Sequence, residues 1–183
     1  MQLNDLPARR GDRPRTTNSA PHTQLSQNAP VEMQERLLGH ALSLPGVRRA
    51  RSMVSVPGAV AFFLDRPYHQ PALPDIFSGE WGHIHPADDG SLHLNLPTHV
   101  ADKLIELGWG EYHYVVTQGM IPPIVIMLYG PRDEAELAVA SAIVETAYVA
   151  AGGATETDDG RTLAALHRDT PSESVGRAAS SSV

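Results

Sequence analysis

The sequence predicts an α+β fold: a mostly antiparallel sheet of about six strands built from hairpins, with about three helices packed on it. Two observations carry this. Apolar residues change period along the chain in the order α-ββ-ββ-α-ββ-α. Turn residues at Pro57-Gly58 and Asp88-Asp89-Gly90 join neighbouring strands directly, which means hairpins and not parallel crossovers.

Each element has its own signal. Pro30 can open a helix, and Met33, Leu37, Ala41 and Leu44 follow at helical spacing before Pro45-Gly46 ends it. Residues 47–56 read as a strand, Val56-Pro57-Gly58-Ala59 as a type II turn, and 59–64 as the returning strand. Pro67, Pro71 and Pro74 make 65–79 a loop. Two strands flank Asp88-Asp89-Gly90. Val100, Leu104 and Leu107 mark a short helix closed by Gly108. Residues 111–116 and 123–129 read as a last strand pair, the second apolar on both faces and so central. Pro131 opens the final helix, expected over 132–150. Asp133, Glu134 and Glu136 sit in its first turns, and Leu137, Ala140, Val144, Ala147 and Tyr148 form its buried stripe.

The 183 residues suit one domain with tails. Residues 1–30 hold four arginines among polar residues and prolines, with no apolar period, and read as a disordered arm. Residues 152–183 read as a disordered tail. The core is 31–151, where seven basic and fourteen acidic residues account for the whole net charge of −7. That charge argues against nucleic-acid binding. The absence of cysteine removes disulfides, thiolate catalysis and Cys-ligated metal centres. No apolar run is long enough for a membrane span and no secretory signal is visible, so a cytoplasmic protein is expected.

Five of the nine histidines lie between 83 and 113. In Gly82-His83-Ile84-His85-Pro86 and Ser91-Leu92-His93-Leu94-Asn95-Leu96, side chains alternate between faces. Facing Ile84 with the leucines places His83, His85, His93 and Asn95 together on the second face, and a one-residue slip would expose Ile84. Same-face neighbours on a strand are about 7 Å apart, and cross-strand neighbours about 5 Å apart. Such imidazoles can bind a ligand, serve as acid and base near neutral pH, or hold a metal. They can equally be hydrogen-bonded histidines on a solvated face. No carboxylate ligand follows at telling spacing. In Gly108-Trp109-Gly110-Glu111-Tyr112-His113, a strand would point Glu111 and His113 the same way, so that Glu111 prepares His113, while Trp109 offers a flat apolar wall. No P-loop, G-x-G-x-x-G, G-x-S-x-G or H-E-x-x-H motif is present.

Four motifs in order resemble the luciferase-domain family, small proteins of bacteria and fungi named after fungal luciferase. They are Gly82-His83-Ile84-His85-Pro86, Asp89-Gly90-Ser91-Leu92-His93-Leu94, Gly108-Trp109-Gly110-Glu111 with His113, and Tyr129-Gly130-Pro131-Arg132 with the acidic helix and Tyr148. The resemblance runs over about 45–150. Fungal luciferase oxidises a hydroxylated styrylpyrone with molecular oxygen, without metal or flavin. The resemblance therefore implies a cofactor-independent, oxygenase-like enzyme for a small aromatic molecule. His83, His85, His93, Glu111 and His113 are its candidate catalytic residues, and Trp109 and Asn95 its candidate ligand contacts. No cofactor and no metal ligand are assigned. The alternative is a non-catalytic module for a small ligand or a metal.

Overall fold

The computed structural model describes residues 5–65, 67 and 71–154. Its six strands are β1 (Val47–Arg51), β2 (Val60–Leu64), β3 (Glu80–Ile84), β4 (Leu92–Asn95), β5 (Gly110–Tyr112) and β6 (Val125–Leu128). They form one sheet in the order β1-β2-β3-β4-β6-β5, with every pairing antiparallel. The helices are α1 (Val31–Ser43), α2 (Thr98–Glu106), the single turn α3 (Tyr114–Thr117) and α4 (Glu134–Ala150). The class is α+β, as the hairpin signals require.

The apolar face of the sheet packs on α4, and α1 packs against α4 and β1. Ile84, Leu92 and Leu94 enter this core with Leu137, Val144 and Tyr148. β6 lies between β4 and β5, and all four of its residues are buried, which suits a strand apolar on both faces. α4 starts two residues later than the stripe predicts. The Asp133 side chain accepts the Glu136 N–H at 3.0 Å and fixes the first turn there.

Two expectations are corrected. Residues 114–117 are helical and not the continuation of a strand. His113 Nδ1 accepts the Val115 N–H at 3.1 Å, and this capping bond turns the chain out of the sheet. The second correction is larger. Residues 5–30, expected as a disordered arm, lie packed on the domain, with Leu6, Arg9, His22, Gln24 and Ala29 buried. Leu6 and Ala29 join the apolar core, and polar bonds fix the rest of the segment. Trp109 Nε1 donates to Pro7 O at 2.7 Å, Arg9 N to Leu107 O at 2.8 Å, and Gly130 N to Gln24 Oε1 at 3.0 Å. Arg9 lies 3.6 Å from Glu136, each side chain 2% exposed. A segment held by individual polar bonds has no apolar period to read. The expected tail lies outside the described residues from 155 onward.

Candidate functional site

The register of β3 and β4 places the site. His83 pairs with His93 and Ile84 with Leu92. The cross-strand row runs Ala61, His83, His93, Met127, Glu111 over five strands, so these residues share the face turned away from α4. The opposite register would have buried histidines among leucines, and the leucine alternation excludes it.

This face is covered, not solvated. Residues 20–22 of the N-terminal segment, the β1–β2 connection and the start of α3 close over it and leave a cavity of about 510 Å³. Five imidazoles line it: His22, His83, His85, His93 and His113. Val54, Val56, Pro57, Phe77, Val115 and Val125 supply apolar wall, and Asn95 and Glu80 polar floor. This volume lies within the range of small-molecule sites, about 300–1,000 Å³. His93 is central. Its ring centroid is 5.0 Å from His83, 4.7 Å from His85, 4.3 Å from His113 and 5.6 Å from His22.

Three of the imidazoles are each held by a carboxylate. His83 Nδ1 is 2.7 Å from Glu80 Oε1, which also accepts the Ser52 hydroxyl at 2.8 Å. His85 Nδ1 is 2.5 Å from Asp89 Oδ2. His22 Nε2 is 2.9 Å from Glu111 Oε1, and Glu111 Oε2 accepts the Tyr129 hydroxyl at 2.9 Å. A carboxylate acceptor places the proton on the ring nitrogen facing it and, in the neutral ring, leaves the lone pair on the other. His83 Nε2 lies 3.0 Å from His93 Nδ1. His22 Nδ1, His85 Nε2 and His93 Nε2 are buried without a hydrogen-bond partner among the described residues.

The electrostatics favour uncharged rings at the centre. Burial pushes His93 well below the ordinary histidine value, and the surrounding imidazoles push it further. Burial lowers His83 too, outweighing its bond to Glu80. Burial lowers His113 to about 4. Two carboxyls go the other way from what burial alone would do. Burial raises Glu111, but hydrogen bonds from His22, Thr16 and Tyr129 together hold it below the ordinary value. Asp89 is likewise held down, against burial, by His85 and Ser91. Buried proton acceptors beside fixed carboxylates are a combination suited to general base chemistry or to ligation.

The structure brings His83, His85, His93 and Asn95 to one cavity, as the hairpin register predicts, and His113 of the second cluster joins them there. It separates two other candidates from their expected tasks. Glu111 pairs with His22 and Tyr129, while His113 spends Nδ1 on the Val115 N–H. Glu111 and His113 do face the same side, as alternation predicts, but His22 lies against both and takes the carboxylate. Trp109 does not line the cavity: it is buried in the core, held through Pro7. Sequence reasoning missed His22, Glu80, Asp89 and Tyr129. The spacing of Glu80 three before His83, and of Asp89 four after His85, was a signal that could have found two of them. His22 had none, because it stands in a segment without period.

Residues 78–147 match the family model of the Luciferase domain. The chain is 29% identical to a luciferase of Armillaria mellea over 179 positions, covering 88% of this chain and 66% of that protein. It is 29% identical to a luciferase of Armillaria gallica and 28% to one of Neonothopanus nambi, each match covering 78% of this chain and 60% of the relative. The chain thus spans just under two thirds of these relatives' length. No solved structure matches. No helix among the described residues is long and apolar enough to cross a membrane. The matched region holds His83, His85, His93, Glu111 and His113, and over it the chain is similar to the luciferase-domain family.

Proposed function

We propose that the protein is an oxygenase-like enzyme that deprotonates a small aromatic phenol or enol in the five-histidine cavity and lets the anion react with dioxygen. The observation that carries this is His22 Nδ1, a buried and unpartnered nitrogen on a ring held from behind by Glu111. His22 Nδ1 accepts the proton of the substrate hydroxyl. His113, whose Nδ1 accepts a backbone N–H, presents Nε2–H in its neutral form and donates to the resulting oxyanion. The electron pair delocalised onto a ring carbon forms a C–O bond to dioxygen. Dioxygen gains both electrons, and the proton returns to give a hydroperoxide. His85 and His93, with unpartnered Nε2 atoms, are the remaining acceptors around the reacting centre. The apolar wall from Val56, Phe77 and Val125 suits a flat aromatic body.

The test is oxygen uptake with phenols, enols and hydroxylated styrylpyrones as substrates. Protein-dependent uptake is expected. His22→Ala and Glu111→Gln should lower kcat by about 10²–10⁴-fold, the range for loss of a general base. Compounds that bind in the cavity while no oxygen is consumed would overturn the enzyme reading and leave a binding module.

A further inference from the structure

The five imidazoles divide into two sets of different chemistry. His83, His85 and His93, all buried, each offer one ring nitrogen within 4.8 Å of the other two. His22, His93 and His113 do the same. Tautomers separate the sets. His113 Nδ1 accepts the Val115 N–H, so its neutral ring carries the proton on Nε2 and shows the cavity a donor, not a lone pair. The second set is thus suited to an organic oxygen and lacks a third ligand.

The first set has the opposite arrangement. His83 and His85 both give Nδ1 to a carboxylate, Glu80 and Asp89, which leaves Nε2 of each as the lone-pair atom. A carboxylate behind a histidine is the common support of metal-ligating imidazoles. His85 Nε2 is buried with no hydrogen-bond partner among the described residues, a costly state for a polar atom unless something binds it. His83 Nε2 and His93 Nδ1 stand 3.0 Å apart, near the roughly 3.3 Å between two nitrogens that share a tetrahedral ion at about 2.0–2.1 Å; unlike His113, whose Nδ1 is fixed as an acceptor, His93 has no partner on Nε2 and can carry its ring proton there when Nδ1 ligates.

We propose that His83, His85 and His93 form a three-histidine site for a divalent transition-metal ion, with its open coordination position toward the cavity. Three imidazoles without thiolate select zinc, copper, iron or nickel over magnesium or calcium. The open position would take an anionic oxygen of whatever occupies the cavity, with His22 and His113 beside it. The inference rests on the cavity of the proposed function but on no substrate.

The full chain, produced without a polyhistidine tag and stripped with chelator, is titrated with Zn(II) and separately with Co(II). Elemental analysis gives the stoichiometry, and the visible spectrum of Co(II) reports nitrogen coordination. One ion per chain is expected. Asp89→Asn should weaken binding about 10–100-fold, and His85→Ala by at least as much. His22→Ala should leave metal affinity unchanged. If His85→Ala fails to fold by circular dichroism, the wild-type titration and Asp89→Asn decide. A wild-type protein that retains no ion and gives no Co(II) spectrum overturns the proposal. So does metal binding lost with His22→Ala and kept with His85→Ala, or unaffected by Asp89→Asn. Stoichiometry is read without substrate, and oxygen uptake is measured on chelated protein as well, so the metal and oxygenase readings fail separately.

Discussion

Gly110→Ala tests the packing that carries Glu111 to His22. Gly110 pairs with Leu128 where β5 meets β6. A Cβ there would stand 2.2 Å from Met127 O and 3.2 Å from Met127 C. Ordinary contact begins at 3.4 Å, so β5 must withdraw by about 1.2 Å. The obstacle is backbone of a central strand and has no rotamer to change. Overpacking of this kind costs about 1–3 kcal/mol, and the rigid obstacle puts the expected loss at the upper end. At about 2–4 °C per kcal/mol for a chain of this size, the melting temperature should fall by about 6–12 °C. The retreat also carries Glu111 away from His22. Gly39→Ala is the control: it lies exposed inside α1 with nothing within 4 Å of the added carbon. It should stabilise by about 0.5–1 kcal/mol, the ordinary helix preference for alanine. Differential scanning calorimetry of both variants reads the contrast. A Gly110→Ala protein melting within about a degree of wild type would refute the described approach of β5 to β6.

Leu137, buried on the inner face of α4, should cost about 2–5 kcal/mol when cut to alanine, read by urea unfolding; a loss under about 0.5 kcal/mol would mean that this face of α4 is exposed. Glu136 governs an acid-sensitive joint between α4 and the N-terminal segment. Burial raises its carboxyl, but hydrogen bonds from Arg132 and the charge of Arg9 together hold it below the ordinary value of 4.5. A depressed carboxyl contributes stability that is present above the unfolded value and lost as pH falls through the folded one. Wild type should therefore lose stability below about pH 4.5, and Glu136→Gln should flatten that limb. The same variant should cost on the order of 3 kcal/mol at pH 7, since it leaves Arg9 buried without its charge partner. Identical pH profiles for the two proteins would contradict this.

The parts legible in the sequence were those written as alternation. Leu92, Leu94 and Ile84 set the register, and the register gathered His83, His85 and His93 without any knowledge of tertiary contacts. The stretch from Ile124 to Leu128 was equally plain: it is apolar throughout and became the buried strand beside β4. What stayed hidden depended on contacts between distant polar groups. His22 reaches Glu111 across 89 residues, and Arg13 reaches Gly110 O across 97. Neither leaves a local pattern. The Glu111–His113 pair did not form because His22, from that same segment without period, takes the Glu111 carboxylate, while the expected strand ends at Tyr112 and His113 Nδ1 caps the next turn.

The most direct test of the account is a crystal structure with a phenol or enol in place. The compound's ionisable oxygen is expected within about 2.6–3.2 Å of His22 Nδ1, the reach of a general base, with the His113 ring on the same oxygen. A compound seated instead in the adjoining cavity of about 200 Å³ beside Trp81 and Pro74, away from His22, would contradict it.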